Sequence, residues 1–278
     1  MTRLTNDDIR TISNRLADYD RELVSKTGMT LFGIACHAHG RDHETSVHQA
    51  ASFSIQVIPN TSGLGIITDF CDTVSAILTH LGFNSEVSPA SDVAGLAHAF
   101  KSGADAVMTA DDHTFSGFNL TTRAVTDNSR ETGRAFAAVL DCMAERGIKG
   151  ERVLVMGCGP VGEAGARQLI ARGARVSLYD TDMKKAAGLK SRLDRAYDKP
   201  DVIVEDTLKM ALDRYGYILE ATPSAESVPD SWADAAEAMA APGVPLGLSG
   251  TGAQIMKDRL VHDKLELGVA AMAVGLLS

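Results

Sequence analysis

The sequence predicts an α/β protein of two domains, the second of which contains a doubly wound parallel sheet. Two series of alternating apolar strands and amphipathic helices, separated near residue 128, indicate this class. A glycine-rich turn joins a strand of the second series to the helix that follows it, as is typical of such sheets. The chain of 278 residues is long enough for two hydrophobic cores. The predicted domains are residues 1–128, an N-terminal helix with a small α/β sheet, and residues 129–278, the doubly wound sheet.

The chain begins with a helix predicted over residues 1–28. Thr5 and Asp8 have the spacing of a capping box, in which side chains satisfy free backbone N–H groups at a helix start. Apolar residues at helical spacing predict one buried face, and Gly28 is a typical C-terminal stop. That face consists of Ile9, Ile12, Leu16 and Leu23. Residues 36–50 are polar, rich in histidine and without periodicity, and therefore predict a loop.

The other elements of the first domain alternate between strand and helix. Strands are predicted at 53–58, near 86–87 and at 104–110, and helices at 70–81 and 91–101. The short connections favour a small parallel or mixed sheet. Residues 111–128 are predicted to form a polar loop after the last strand.

A helix over residues 129–146 leads into the second series. Strands are predicted at 152–156, 175–179, 202–204, 217–221 and 245–248, and helices at 161–172, 183–196 and around 232–239. This alternation is typical of a parallel sheet with helices on both faces.

Composition excludes several classes of partner. The net charge is −9, and residues 1–128 alone carry −7, which argues against binding to nucleic acid or to anionic membrane surfaces. The four cysteines have no C-x-x-C spacing, the N-terminus has no apolar core that could act as a signal peptide, and no apolar run is long enough to span a membrane. We therefore expect a cytoplasmic protein with reduced thiols and a small-molecule ligand. The sequence leaves open whether the protein forms a homodimer.

Residues 157–162, Gly-Cys-Gly-Pro-Val-Gly, have the G-x-G-x-x-G spacing of a dinucleotide-binding turn. Gly157 allows the tight turn, Gly159 lets the backbone approach a pyrophosphate, and Gly162 lets the helix pack against the strand. Free N–H groups at the helix start favour phosphate. Asp180 ends the next strand, where a carboxylate accepts hydrogen bonds from the ribose hydroxyls and repels a 2′-phosphate. The motif predicts NAD rather than NADP, with Cys158, Pro160 and Val161 contributing to the same turn.

Two further segments follow strands of the second sheet. Ligands of such sheets lie outside the carboxyl ends of the strands, so Thr222 and Pro223 are expected to border the nicotinamide half of NAD. Ser249, Gly250 and Thr251 have a similar predicted position. For both segments, an ordinary connecting loop is the alternative.

The first domain has two polar segments at strand ends. One contains Asn60, Thr61 and Ser62, for which simple turn and capping chemistry is an equally good interpretation. The other contains Asp111 and Asp112, which follow a buried strand. Adjacent residues in extended chain point in opposite directions, so one carboxylate is expected to face the substrate and the other to support it. A carboxylate here suits a cationic amine, whereas an anionic substrate would require Arg or Lys.

Acid–base groups are scarce in the first domain. Only Lys26 and Lys101 occur before residue 129, so the lysine base typical of hydroxy-acid dehydrogenases has few candidates. His113 is the nearest imidazole to the carboxylate pair. Residues 36–48 contain Cys36, His37, His39, His43 and His48, but their spacing matches no standard zinc template. We expect no metal.

Several segments in chain order resemble the pyrrolysine synthase family, the final dehydrogenases of pyrrolysine biosynthesis. They are Leu4-Thr5, Val57-Ile58-Pro59-Asn60-Thr61-Ser62-Gly63-Leu64-Gly65-Ile66-Ile67, Ala110-Asp111-Asp112-His113-Thr114-Phe115, Phe118-Asn119-Leu120, the glycine turn, Tyr179-Asp180-Thr181-Asp182 and Glu220-Ala221-Thr222-Pro223. The resemblance implies a substrate domain followed by a Rossmann domain. It also implies that NAD oxidises the terminal amine of a 3-methylornithine unit amide-linked to lysine, with loss of ammonia and ring closure.

The same resemblance implies roles for residues of the first domain. Leu4 and Thr5 would close over the substrate. Asp111 would be the catalytic-site carboxylate that holds an ammonium group, with Thr61, Ser62 and Asn119 nearby. The family's last loop on the nucleotide side typically has the sequence T-P-G-I-P, whereas this chain has Ser-Gly-Thr-Gly-Ala at residues 249–253.

Two alternative functions stay open at this point. One is another NAD-dependent dehydrogenase that acts on an amino acid or a hydroxy acid. The other is a non-catalytic NAD-sensing module whose first domain binds a partner.

Overall fold

The computed structural model describes residues 4–64 and 66–277. The first part of the chain contains α1 (Asn6–Ile9), α2 (Leu16–Thr27), α3 (Leu31–His39), α4 (His43–Ser52), β1 (Ser54–Ile58), α5 (Phe70–His80), β2 (Asn84–Val87), α6 (Asp92–Ser102), β3 (Ala106–Ala110), β4 (Phe115–Asn119) and β5 (Val125–Asp127). The second part contains α7 (Asn128–Met143), β6 (Arg152–Met156), α8 (Pro160–Ala171), β7 (Arg175–Tyr179), α9 (Met183–Ala196), β8 (Val202–Val204), α10 (Leu208–Leu212), β9 (Tyr217–Glu220), α11 (Asp230–Ala235), β10 (Ala238–Ala241), α12 (Gly250–Ile255), β11 (Leu260–His262) and α13 (Glu266–Leu276).

The described residues form two units that are not continuous in sequence. The first unit contains residues 4–22, 29–131 and 264–277, and the second contains residues 23–28 and 132–263. The sequence places the boundary after residue 128 and assigns the C-terminal segment to the second domain. In the structure α13 packs instead on α3, α5, β4 and β5 of the first unit. Its residues are almost all buried and apolar, including Val269, Met272 and Leu276, so the helix is central to that unit.

The first unit is built on a five-stranded mixed sheet with the order β2-β1-β3-β4-β5. β1 pairs in parallel with β2 and β3, whereas β4 is antiparallel to β3 and to β5. The predicted mixed sheet is confirmed, but the loop predicted over residues 111–128 is wrong. This segment forms β4 and β5, in which Phe115, Ser116 and Gly117 are buried. Its Gly, Asn and Thr content obscured two short strands whose pairing depends on partners elsewhere in the chain.

The predicted helix over residues 1–28 is interrupted; residues 1–3 lie outside the described residues. α1 and α2 are separated by a turn in which Ile12 and Arg15 make hydrogen bonds to the third residue before them. The intervening Thr11, Ser13 and Asn14 have poor helix propensity, which accounts for the break. The predicted apolar face is nevertheless buried, and Gly28 ends α2 with φ +74°.

The prediction of a loop over residues 36–50 is also wrong, because the segment lies in α3 and α4. The Thr30 hydroxyl caps α3 by accepting from the N–H of Gly33 at 3.1 Å. Gly40 ends that helix with φ +64°, and the Asp42 carboxylate caps α4 by accepting from Thr45 N–H at 2.8 Å. The histidines obscured capping residues that are themselves visible in the sequence.

The second unit contains a six-stranded parallel sheet with the order β11-β10-β9-β6-β7-β8. Numbered from β6, this is the 3-2-1-4-5-6 order of the doubly wound dinucleotide-binding fold. The predicted strand over residues 245–248 is wrong, and so is the end of the helix predicted around 232–239. The strand at this position is β10, Ala-Met-Ala-Ala, which is fully buried between β9 and β11. Ala and Met favour helices locally, and burial in the sheet overrides that preference.

Candidate functional site

The glycine turn of the second unit lies at the carboxyl end of β6, the first strand of the doubly wound order. Gly157 has φ +87°, and a Cβ there would lie 2.6 Å from the carbonyl oxygen of Ala221. A Cβ at Gly162 would overlap the carbonyl oxygen of Gly157. Both positions therefore require glycine, one for the turn and the other for the close packing of α8 against β6.

Gly159 differs from its neighbours because the space beside it is open. No atom of the described residues outside its immediate neighbours lies within 4 Å of a Cβ at this position. Gly159 is the N-cap of α8, a helix of 12 residues, and Pro160 occupies its first turn. A pyrophosphate could approach this backbone and accept from the free N–H groups of the helix start. The turn thus fits the phosphates of a dinucleotide.

Asp180 follows β7 and contacts the glycine turn directly. Its Oδ2 accepts from the backbone N–H of Cys158 at 2.8 Å, and its Oδ1 accepts from Asp182 N–H at 2.9 Å. An ionised carboxylate has about four acceptor sites, so these two bonds leave capacity for ribose hydroxyls. The bond to Cys158 also fixes the carboxylate at the turn where the pyrophosphate would be held.

β9 ends in a functional candidate that the sequence motifs did not single out. Glu220 is 0% exposed, and its Oε1 accepts from the backbone N–H of Thr222 at 2.9 Å and from the Thr222 hydroxyl. Burial raises the pKa of Glu220 to about 7, against the opposing effect of these hydrogen bonds. A charged residue that ends an otherwise apolar strand was the available signal. Pro223 is exposed beside Thr222.

Ser249 and its neighbours begin α12. The Ser249 hydroxyl donates to Asp230 at 2.7 Å and accepts from Gly252 N–H at 3.1 Å. It therefore caps the helix, while Gly250 and Thr251 are more accessible. Contacts of these three residues with nicotinamide stay a prediction.

In the first unit, Asp111 immediately follows β3 and is exposed. Its Oδ1 accepts from the backbone N–H groups of His113 and Thr114, both at 2.7 Å. These backbone hydrogen bonds lower the pKa of Asp111, so the carboxylate is ionised at neutral pH. Within the described residues Oδ2 has no hydrogen-bond partner. The turn thus presents a negative charge with one oxygen free to receive an ammonium group.

The adjacent Asp112 has a different contact. Its Oδ2 accepts from the backbone N–H of Leu64 at 2.7 Å. A Cβ at Gly63, which has φ +67°, would overlap the same oxygen. Asp112 therefore connects the loop after β3 to the loop after β1.

The loop after β1 carries three of the predicted site residues, and each makes a local polar contact. The backbone N–H and hydroxyl of Thr61 both donate to Asp92, at 2.8 and 2.6 Å. The N–H and hydroxyl of Ser62 both donate to Asn60, at 2.9 and 2.6 Å. The structure brings these residues to the same edge of the sheet as Asp111, because parallel β1 and β3 both end there. Gly65 of the same motif lies outside the described residues.

Asn119 does not lie with this group, which corrects the expectation that placed it near Asp111. Antiparallel pairing puts Asn119 opposite Ala106, whereas Phe115 is opposite Ala110, so Asn119 is at the other end of β3. Its Nδ2 donates to the carbonyl of Leu276 at 2.8 Å, and its Oδ1 accepts from two backbone N–H groups of the following turn. These bonds give it a structural role in joining β4 to α13.

Leu4 and Thr5 precede α1, which packs against α5 of the same unit. The backbone N–H and hydroxyl of Thr5 donate to Asp8 at 2.8 and 2.7 Å. Asp8 also forms an ion pair with Lys264. The Lys264 ammonium is the main cause that lowers the pKa of Asp8 to about 2. The N-terminal turn is thus attached to the C-terminal segment by a charge pair.

The histidine-rich segment shows no grouping suited to a metal. Across residues 4–64 and 66–277, no three His, Cys, Asp or Glu side chains are placed together as a metal site requires. His39 instead lies 3.0 Å from Glu131 and 2.9 Å from the carbonyl of Ala271. In the same described residues, no helix is both long and apolar enough to span a membrane.

The fold and the glycine turn define the second unit as a Rossmann-type dinucleotide-binding domain. Comparison with family models agrees: residues 147–242 match an NAD(P)-binding family, and residues 8–126 match the N-terminal domain of the pyrrolysine biosynthesis protein PylD. The chain is 30% identical to the pyrrolysine synthases of Methanosarcina barkeri and Methanosarcina acetivorans. Each alignment covers 100% of this chain, and 98% and 100% of the two relatives respectively.

Solved structures show the same architecture at low sequence identity. Quinate dehydrogenase from Corynebacterium glutamicum, in complex with NAD, has a TM-score of 0.55 and 14% identity over 82% of this chain and 94% of that chain. Shikimate 5-dehydrogenase from Thermus thermophilus, in complex with NADP(H) and shikimate, has a TM-score of 0.52 and 15% identity. The match covers 81% of this chain and 93% of that chain. The protein is an NAD(P)-dependent dehydrogenase by class. It belongs to the pyrrolysine synthase family.

Proposed function

We propose that the protein oxidises the terminal amine of lysine-linked 3-methylornithine with NAD and thereby makes pyrrolysine. The observation that carries the proposal is Asp111, an exposed and ionised carboxylate that keeps one oxygen free after its turn is satisfied. A fixed negative charge at the end of β3 suits a substrate with several ammonium groups. Membership of the family supplies the particular substrate.

The proposed reaction balances in three steps. The carbon that bears the terminal amine would lose a hydride, for which NAD would be the acceptor, and the neutral amine would become an iminium. Water adds to this carbon and ammonia leaves, which gives an aldehyde. The α-amine of the same unit then attacks the aldehyde and releases water to close the pyrroline ring. The product is lighter than the substrate by one ammonia and two hydrogen atoms.

Residues of the first unit would divide this work. Asp111 would hold an ammonium group of the substrate and so fix the reacting carbon. Asp112, Asn60, Thr61 and Ser62 would shape the loop edge around it, and Leu4 with Thr5 would close over the ligand. Because Asn119 is satisfied at the other end of β3, we assign it no substrate contact.

In the second unit we propose that Asp180 selects NAD over NADP. The carboxylate is held against the glycine turn, where a 2′-phosphate would meet like charge. Gly157, Cys158, Gly159, Pro160, Val161 and Gly162 would surround the pyrophosphate. Thr222, Pro223, Ser249, Gly250 and Thr251 would border the nicotinamide half.

Turnover of the named substrate tests the proposal. The purified protein, lysine-linked 3-methylornithine and NAD should give NADH absorbance together with the mass change stated above. Asp111→Asn, which keeps the turn acceptor but removes the charge, should lower kcat/KM and leave NAD affinity unchanged. Turnover of an unrelated alcohol or amino acid instead would favour another dehydrogenase. NAD binding without any turnover, unaffected by the Asp111 substitution, would favour the sensing module.

A further inference from the structure

The buried carboxyl of Glu220 joins two loops of the second unit. It ends β9, and its Oε1 receives both the N–H and the hydroxyl of Thr222. The backbone N–H of Gly247, in the loop after β10, lies close to the same carboxyl group and acts to lower its pKa, while Oε2 has no hydrogen-bond partner in the described residues. One side chain therefore holds the segments that follow two adjacent parallel strands.

The chain leaves space for this carboxyl by placing glycine on either side of it. A Cβ at Gly243 would lie 2.5 Å from Glu220 Oε2, and a Cβ at Gly247 would lie 3.0 Å from Glu220 Cδ. Distances below about 3 Å would force one of the groups to move. The loop after β10 thus packs closely against the carboxyl. A Cβ at Gly243 would also lie 2.4 Å from the carbonyl oxygen of Thr222, so a larger residue there would displace the carboxyl, Thr222 or both.

The hydrogen bonds also determine whether the Thr222 hydroxyl acts as a donor or as an acceptor toward a ligand. A threonine hydroxyl has a single proton, and here it is donated to Glu220. Oε1 acts as an acceptor because it also receives the Thr222 N–H. The hydroxyl can therefore only accept from a ligand. A primary amide, which offers two N–H donors, is the matching group, and nicotinamide carries one.

We propose that Glu220 is a positioning residue for the nicotinamide half of the dinucleotide, which fixes Thr222 as an acceptor and holds the loops after β9 and β10 together. These strands belong to the half of the sheet on the other side of β6 from β7 and β8. In doubly wound sheets that half binds the second mononucleotide. The inference rests on the NAD(P)-binding fold and is independent of the amine substrate.

Binding of NAD and of ADP-ribose to the full chain tests this role, because ADP-ribose lacks the nicotinamide. Glu220→Ala should weaken NAD about tenfold, the scale of one lost buried hydrogen bond, and leave ADP-ribose affinity unchanged. Glu220→Gln retains an acceptor oxygen and should restore NAD affinity to within about threefold of the original. Gly243→Ala, whose Cβ would press on both the Glu220 carboxyl and the Thr222 carbonyl oxygen, should likewise weaken NAD and leave ADP-ribose affinity unchanged.

Ser227→Ala is the matched control. Its hydroxyl borders Gly247, the glycine that also contacts the Glu220 carboxyl, and has no hydrogen-bond partner in the described residues, so both affinities should stay unchanged. If Glu220→Ala does not fold, Glu220→Gln and Gly243→Ala still decide the question. Equal losses for NAD and ADP-ribose, or a glutamine variant as weak in NAD binding as Gly243→Ala, would overturn the proposal.

Discussion

Asp112 accepts a hydrogen bond at 2.7 Å from the backbone N–H of Leu64, a residue 48 positions earlier in the chain. The loop after β3 thereby holds the loop after β1. The neighbouring Asp111 accepts only from its own turn and keeps Oδ2 without a partner in the described residues. Two adjacent carboxylates thus make different contacts: Asp112 holds a neighbouring loop, and Asp111 exposes a charged oxygen.

Asparagine substitutions should separate these two functions. Asp112→Asn keeps an acceptor for Leu64 N–H, so we expect less than threefold loss in kcat/KM. Asp111→Asn removes the charge that we propose to hold an ammonium group, and the loss of this charge-assisted contact predicts a tenfold or greater decrease in kcat/KM. Steady-state kinetics with the amine substrate measures both. Equal effects of the two variants would contradict the division of function.

Replacing Asp180 should alter the choice of dinucleotide. Asp180→Ser removes the charge that opposes a 2′-phosphate, so NADP affinity relative to NAD should rise at least tenfold. Asp182→Asn is the control, since it removes a nearby charge that only caps α9 through Lys184 N–H. Calorimetric titration with both dinucleotides gives the ratio. An unchanged ratio for Asp180→Ser would show that selectivity arises elsewhere.

The buried Glu220 carboxyl should make the free energy of unfolding depend on pH. Burial raises the pKa of the folded state to about 7 from 4.5, so the folded protein binds this proton more tightly than the unfolded chain. The contribution to stability is complete below about pH 4.5 and is lost as the pH rises toward 7, by about 3 kcal/mol in total. Urea unfolding of the native chain and of Glu220→Gln, compared from pH 5 to pH 8, isolates this slope. Parallel curves would refute the assignment.

The Asp8–Lys264 ion pair should give stability the opposite dependence on pH. Lys264 lowers the pKa of Asp8 to about 2, so the stabilisation is present above about pH 3.8 and is lost as the pH falls through 2. Both side chains are partly exposed, which limits the coupling to about 1 kcal/mol. A double-mutant cycle with Asp8→Asn and Lys264→Met, followed by urea unfolding, measures it at pH 7. A coupling that persists unchanged in the acid range would exclude an ionic origin.

The parts of the fold predicted best are those whose signal is local. The order β6, glycine turn, α8, β7 follows from apolar runs and glycine spacing, and Gly157 and Gly162 are used as predicted. Asp180 was found for the same reason, because its place at a strand end is fixed by the motif. Capping residues such as Thr30 and Asp42 were equally local, but the surrounding histidines favoured a loop.

The remaining features depend on contacts between distant segments. Asn119 lies in a polar stretch that locally predicts an exposed loop. Its side-chain hydrogen-bond partner, the carbonyl of Leu276, is 157 residues away in the sequence. The role of Glu220 depends on Gly243 and Gly247, whose proximity comes from the parallel pairing of β9 with β10. The four residues of β10 have helix-favouring side chains and become a strand only because both neighbours bury them. No local pattern encodes these relationships.

The placement of α13 has a consequence for biosynthesis of the chain. Residues 264–277 complete the core of a unit whose other residues are all translated before residue 132. That unit therefore cannot complete its core until α13 has been synthesised, whereas the second unit is translated earlier. Premature termination even a few residues before α13 would leave the half-built core around α3 open to solvent and to aggregation. The core of the first unit is therefore completed only after the whole second unit has been translated.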